Sequence, residues 1–236
     1  MTETAIILAG GLGTRLRSVV PDLPKPMAPV NGRPFLEYQL DYWISQGIRH
    51  FILSVGYRRE SIMTHFGSRY KEASIEYAIE EIPLGTGGGL MQAARLMPSD
   101  QCALVINGDT FFSLALDELV KKHRARESGW SIALFKADVP DRYGKVICNT
   151  EGQIESFSPD KAMPGDYANG GIYLLSRETL CALPSTAKTP VSLEAVLLPD
   201  FISTGGRCYG FACEGQFFDI GLPQDYHQAA NILTGK

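Results

Sequence analysis

The stretch Leu8-Ala9-Gly10-Gly11-Leu12-Gly13-Thr14-Arg15-Leu16 sets three glycines directly after a short apolar run. Lacking Cβ atoms, such a backbone can turn sharply and aim successive N–H groups at one point, which makes an anion cradle. A helix starting just beyond would add its partial positive charge, and Arg15 supplies a forked donor matched to phosphate oxygens. The plainer alternative is a tight strand-to-helix turn. Two other phosphate loops do not fit. No G-x-x-x-x-G-K-[ST] string occurs, and Leu16 stands where the third glycine of G-x-G-x-x-G belongs. The second strand also ends in Ser54-Val55-Gly56, without the acid that holds a ribose, which disfavours a nicotinamide enzyme.

Further along, Lys25 lies between Pro24 and Pro26. Prolines on both sides fix φ and restrict their neighbours, so the lysine is expected on a stiff, extended loop. Two aspartates end apolar runs beside glycine: Asp109 after Gly108, and Asp219 before Gly221. Ligands sit at the carboxyl ends of strands in open α/β sheets. Two carboxylates meeting there suit a hard divalent cation; alternatively, each caps a turn.

These residues need a scaffold. Ala5–Ala9, Phe51–Val55, Ile75–Ile79 and Ala103–Ile106 read as buried strands. A helix is expected from Pro34, with Leu36, Leu40, Trp43 and Ile44 on one face and Gly47 past its end. Gly85–Gly89 reads as a turn into a helix carrying Leu90, Ala93, Ala94 and Met97. After a helix over Leu116–Arg126, strands are expected at Ser131–Lys136, Lys145–Cys148, Ile154–Phe157, Gly171–Leu175, Arg207–Cys213 and Phe217–Ile220, then a final helix from Pro223 to Leu233. Strands alternating with helices imply an α/β, Rossmann-like three-layer sandwich with a mainly parallel, mixed central sheet. One domain is expected, with halves at 1–112 and 113–236.

The chain of 236 residues is 44% hydrophobic and 20% charged, with a formal charge of 22 − 26 = −4. That balance disfavours a general nucleic-acid binder. The cysteines (Cys102, Cys148, Cys181, Cys208, Cys213) show no C-x-x-C pair, so neither a disulfide framework nor a zinc site is expected, and a reducing cytoplasm fits. No run is long enough to span a membrane, and the N-terminus lacks the basic residues of a signal peptide. The histidines (His50, His65, His123, His227) have no metal-ligand spacing and read as structural; Trp43 and Trp130 read as core.

GGLGTRLRSVVPDLPKPMAPVNGRPFLEY resembles the signature of the sugar-1-phosphate nucleotidyltransferases. Within that family, SVGYRRESI, PLGTGGGL, NGDTFF, NGGIYLL and FFDIGLP resemble the heptose-1-phosphate guanylyltransferases, and the likeness runs from Ala5 to about Asp225. The resemblance implies that a sugar 1-phosphate attacks a nucleoside triphosphate and releases pyrophosphate, with Mg2+ held by Asp109 and Asp219. It implies Arg15 and Lys25 as the catalytic cations on the triphosphate. Leu8, Ala9, Gly10, Gly11, Gly13, Thr14, Pro83, Gly85, Thr86 and Gly108 would line the nucleotide in the first half. Tyr143, Gly144, Asn169, Gly170 and Glu194 would meet the sugar phosphate in the second.

Glu80 stands where thymidylyl and uridylyl relatives use a glutamine on the pyrimidine. A carboxylate only accepts, so it suits the adjacent N1–H and amino donors of guanine and points to GTP; the plain alternative is that Glu80 and Glu81 are surface charges. The family's glutamate–lysine pair is replaced by Asp160-Lys161, one residue late, which makes Lys161 the candidate for the sugar phosphate. Relatives often self-associate, so a homo-oligomer is compatible with the resemblance. Other substrates kept open are mannose 1-phosphate with GTP and a hexose phosphate with dTTP or UTP. A catalytically silent, nucleotide-binding regulatory subunit is a third reading.

Overall fold

The computed structural model describes residues 3–13, 16, 19–98, 102–184, 189–221 and 223–233. Its first half holds β1 (Thr4–Leu8), a 3₁₀ turn (Lys25–Met27), β2 (Pro29–Val30), β3 (Arg33–Pro34), α1 (Phe35–Ser45), β4 (His50–Val55), α2 (Arg59–Phe66), β5 (Arg69–Tyr70), β6 (Ala73–Ile79), α3 (Gly85–Ala94), β7 (Ala103–Asn107) and β8 (Thr110–Phe112). The second half continues with α4 (Leu116–Ala125), β9 (Trp130–Lys136), β10 (Gly144–Cys148), β11 (Ile154–Lys161), β12 (Tyr167–Leu175) and α5 (Arg177–Ala182). A π-helical turn (Leu193–Leu197) runs into α6 (Leu198–Ser203), followed by β13 (Cys208–Ala212), β14 (Phe217–Asp219) and α7 (Pro223–Leu233).

The centre of the sheet is parallel, in the order β7-β1-β4-β6. β1, β4 and β7 are apolar on both faces, as strands buried on two sides must be, whereas β6 exposes Ser74 and Glu76. Ala5, Ile7, Phe51, Leu53, Leu104 and Ile106 point to one core. Ile6, Ile52, Ala103 and Val105 point to the other. Residues of α1, α2 and α4 (Leu40, Trp43, Ile62, Leu119) fill the first layer. Residues of α3, α5 and α6 (Leu90, Leu180, Leu198) fill the second, which gives the three-layer α/β sandwich. Trp43 and Trp130 are both core side chains. Among the described residues no helix is long and apolar enough to cross a membrane.

The mixed character comes from β12, which pairs antiparallel with β7 through Ile172–Leu175 and with β10 at Ala168. Between the two pairings its register to β9 shifts after Asn169. Gly171, at φ +69, supplies the bend, and a Cβ there would lie 2.7 Å from Thr110 Oγ1. The Asn-Gly-Gly triplet is thus a β-bulge that lets one strand change neighbours.

Three local expectations are corrected, and one helix lies where none is expected. Gly85–Gly89 is the first turn and a half of α3 and not a turn before it; Gly87 N–H donates to Val191 O at 2.8 Å, and a Cβ on Gly87 would come 2.9 Å from Leu197. Lys25 begins a 3₁₀ turn and does not sit on an extended loop. The turn's bonds come from Met27 N and Ala28 N, so neither proline is asked for a donor. The strand expected to stop at Phe157 runs on to Lys161 through a register shift opposite β10, so the extra residue noted there lies in a bulged strand. The helix α2 was not foreseen: its polar composition gives little periodicity, and it starts from Arg58 at φ +51.

His123 is buried on α4 with Nδ1 2.7 Å from Ser131 Oγ. Burial, helped by the neighbouring Arg124, holds its pKa down at about 4. The unfolded chain therefore binds a proton that the folded chain refuses between about pH 6.5 and 4. Stability is undiminished above that window and is lost as pH falls through it, by about 2 kcal/mol from pH 7 to pH 5. Urea denaturation at the two pH values measures this, and a His123→Gln variant should show a correspondingly flatter dependence.

Candidate active site

The carboxyl ends of β1, β6 and β7 open onto a cavity of about 690 Å³ whose lining comes from both halves of the chain. Leu8, Ala9, Gly10, Gly11 and Gly13 line it after β1, Glu80, Pro83, Gly85 and Thr86 after β6, and Gly108 and Asp109 after β7. Lys25, Tyr143, Asn169 and Asp219 complete the expected residues found there. Thr14 and Arg15 lie outside the described residues.

The loop after β1 is held open by the sheet itself. Ala9 N–H donates to Ser54 O at 2.8 Å, and Gly108 N–H to Leu8 O at 3.0 Å, so the strand pairing continues past the formal strand ends. A Cβ on Gly10 would come 2.1 Å from Glu80 Oε1, a contact only glycine permits. Glu80 is 8% exposed and is not a surface charge. Ser54 Oγ donates to its Oε1 at 2.7 Å and Leu84 N–H to its Oε2 at 3.1 Å. Glu81 is the surface member, ion-paired with Arg59.

Asp109 and Asp219 are brought together by a two-stranded antiparallel ribbon. In the β8–β14 pairing Thr110 stands opposite Asp219, and Ile220 N–H donates to Asp109 O at 2.9 Å. Phe111 and Phe218 stack behind it with ring centres 5.2 Å apart, anchoring the ribbon to Phe35 and Ile220 in a third apolar cluster. Lys25 Nζ reaches Asp109 Oδ2 at 2.8 Å, with only 12% of the lysine side chain exposed. A cation therefore already touches one of the two carboxylates. Among the described residues no group of three or more His, Cys, Asp or Glu could by itself hold a metal ion. Two hard carboxylate donors lining the cavity fit magnesium, which keeps waters and substrate phosphates in its remaining positions.

Four expected sugar-side residues do not line the cavity. Gly144 and Lys161 face each other across β10 and β11, both exposed, one residue beyond Tyr143. Gly170 backs onto Phe112, where a Cβ would fall 2.5 Å from the ring. Glu194, on the π-helical turn, spends its carboxylate on the protein: Thr86 Oγ1 donates at 3.1 Å, Tyr173 OH at 3.0 Å and Ser192 Oγ at 3.3 Å. Asn169 Nδ2 donates to the Tyr173 hydroxyl at 2.8 Å, and Gly171 N–H donates to Asn169 Oδ1 at 2.9 Å. Glu194 thus ties Thr86 to Asn169 through a fully buried tyrosine, and burial pushes that tyrosine's pKa well up. Tyr143 is pushed up to about 12 by burial, so it stays a neutral donor at the cavity wall.

Sequence reasoning missed Ser54, Gln39 and Tyr173. Each is a polar residue inside an otherwise apolar run or stripe (FILSV, LEYQL, GIYLL), and that interruption was the available signal.

A cavity at parallel-strand ends, with twin aspartates and a sheltered lysine facing it, defines an α/β enzyme of phosphoryl or nucleotidyl transfer. Residues 4–236 match the nucleotidyl transferase family, and the chain belongs to it. It is 39% identical over 229 residues to the D-glycero-alpha-D-manno-heptose 1-phosphate guanylyltransferase of Aneurinibacillus thermoaerophilus, covering 97% of each chain. It is 33% identical to the mannose-1-phosphate guanylyltransferase of Mycobacterium tuberculosis, covering 98% of this chain and 65% of that one. The crystal structure of HddC from Yersinia pseudotuberculosis complexed with GMP-PN superposes with a TM-score of 0.86 at 31% identity, covering 98% and 99% of the two chains.

A Tyr173→Phe variant removes a fully buried hydroxyl and leaves the half-buried Glu194 and Asn169 each short of one partner. It should lose about 1–3 kcal/mol of stability in chemical denaturation; a change under about 0.5 kcal/mol would mean these hydrogen bonds add nothing to stability.

Proposed function

We propose that this chain transfers GMP from GTP to D-glycero-α-D-manno-heptose 1-phosphate, giving GDP-heptose and pyrophosphate. The observation that carries the proposal is the ribbon that sets Asp109 beside Asp219, with Lys25 on the first of them, inside the cavity. The full-length similarity to heptose-1-phosphate guanylyltransferases supports the choice of sugar and base. In the reaction, an oxygen of the sugar phosphate attacks the α-phosphorus. The bond from that phosphorus to the bridging oxygen breaks in line, and pyrophosphate leaves with the electron pair. No covalent enzyme intermediate is needed, so the work is positioning and neutralisation of charge.

Asp109 and Asp219 would hold a magnesium ion whose charge screens the two approaching anions. The backbone after Leu8, through Gly10, Gly11 and Gly13, offers N–H donors to the triphosphate, and Lys25 adds an ammonium that the 3₁₀ turn keeps in place. Thr14 and Arg15 follow Gly13 in the sequence and would add a hydroxyl and a guanidinium to the triphosphate. Glu80 reads guanine: each of its oxygens has accepted one internal donor and keeps a lone pair for N1–H or the exocyclic amine. The Ser54 and Leu84 bonds fix the carboxylate in orientation. On the sugar side Tyr143 and Asn169 face the cavity, whereas Glu194 supports Thr86 and Asn169 from behind. Lys161 and Gly144, the latter next in sequence to Tyr143, are paired on the exposed β10–β11 edge and do not line the cavity. Five free cysteines accord with a reducing cytoplasm, where nucleoside triphosphates are plentiful.

A pyrophosphate-release assay crossing GTP, ATP, dTTP and UTP with heptose, mannose and glucose 1-phosphates tests the proposal. GTP with the heptose phosphate should give the highest kcat/KM; preference for a pyrimidine nucleotide would overturn the guanine reading. Asp109→Ala should lower turnover about a thousandfold, roughly 4 kcal/mol of transition-state stabilisation, with an unchanged circular dichroism spectrum. Glu80→Gln should erode the preference for GTP over UTP by about tenfold, the size of one lost charge-assisted hydrogen bond.

A further inference from the structure

The apolar stripe of α1 carries one polar exception. Phe35, Leu36, Leu40 and Trp43 enter the core, and Gln39 enters with them at 1% exposure. Its Nε2 donates to two main-chain carbonyls, Asn107 O at 2.9 Å and Thr110 O at 2.5 Å. The amide has two N–H bonds and both are used. Its orientation follows from chemistry, because the flipped carboxamide would press Oε1 against two carbonyl oxygens. The remaining atom, Oε1, is buried without a hydrogen-bond partner among the described residues. A leucine would fill the same space and leave no buried Oε1, but it would take the Nε2 donor away from both carbonyls, so the glutamine is explained by the main chain it holds and not by core packing.

What the two carbonyls bracket is the turn Gly108-Asp109. Asn107 is the last residue of β7 and Thr110 the first of β8, so the carboxamide clips both ends of the turn that carries the first carboxylate. Thr110 is also the residue facing Asp219 across the β8–β14 ribbon, and the carbonyl of Asp109 receives Ile220 N–H. One side chain from the opposite layer therefore fixes the crossing at which both acids are presented. Gln39 is beyond contact with the cavity, which it does not line.

We infer that Gln39 is a positioning residue that sets the span between the Asp109 and Asp219 carboxylates, and through that span the affinity for the divalent cation. The inference rests on the proposed metal role of those two acids. It concerns a side chain that touches neither substrate nor ion, and it makes the cation affinity a property of the α1 layer as well as of the strand ends.

The test uses the full chain with a non-hydrolysable GTP analogue and Mn2+ as the probe, titrated by electron paramagnetic resonance. Gln39→Leu keeps volume and discards both donors; Gln39→Met does the same with a more adaptable chain. Expected in either variant are a Mn2+ dissociation constant raised at least fivefold and kcat lowered about tenfold. The KM for GTP should stay within twofold, and raised magnesium should recover part of the lost turnover. Asp109→Asn runs beside them. If Asp109→Asn leaves Mn2+ binding unchanged, the metal reading of the site fails. If Asp109→Asn weakens binding while a folded Gln39 variant binds as tightly as the parent, the positioning inference alone is overturned. It is overturned equally if both Gln39 variants fail to fold, since the residue is then structural.

Discussion

Two acids that lie 110 positions apart in the chain stand side by side because β8 and β14 pair, and the chemistry of the cavity depends on that pairing. Joining a sugar phosphate to a nucleoside triphosphate forces anions together. In water the repulsion is screened by solvent; in a cavity that excludes water it must be met by fixed positive charge and by carboxylates that recruit more of it. The protein as a whole is acidic, so this positive charge has to be concentrated locally, and Lys25 on its 3₁₀ turn is where the described residues concentrate it.

The rest of the molecule can be understood as support for that arrangement. Parallel strands bring the loops after β1, β6 and β7 to one edge of the sheet. The β12 bulge turns the second half of the chain toward the same edge, so Asn169 lines the same cavity as the loops after β1, β6 and β7. Behind the cavity wall a polar layer replaces part of the apolar core. Ser54 orients Glu80, Glu194 and Tyr173 connect Thr86 with Asn169, and Gln39 clips the Asp109 turn. Buried polar groups of this kind fix geometry strongly only when nearly all their bonds are made.

The parallel core was legible in the sequence because β1, β4 and β7 are apolar on both faces and short, and the amphipathic stripe of α1 was equally plain. The loops after β1, β6 and β7 were legible as a functional edge because glycines, Asp109 and Lys25 gather near strand ends. Other features depend on contacts that no local pattern records. The shape of the β12 bulge is set by Phe112 and Thr110, which come from β8. Lys25 adopts a helical turn because the bonds it needs come from Met27 and Ala28, which proline spacing does not reveal. Glu194 resembles a ligand-binding acid in sequence, yet its oxygens are directed to Thr86, Tyr173 and Ser192 by the π-helical turn. Ser54 and Gln39 show in the sequence only as polar interruptions of an apolar run or stripe, and what each one bonds to depends on main chain and side chains far away in the sequence.

The central claim is that Asp109 and Asp219 grip one cation between them. Crystals grown with Mn2+, a non-hydrolysable GTP analogue and a sugar 1-phosphate would locate the ion by its anomalous scattering. The account requires a single peak within about 2.5 Å of an oxygen from each aspartate and in contact with the α-phosphate. A peak bound to phosphates alone, with the Asp219 side chain turned out of the cavity, would contradict it.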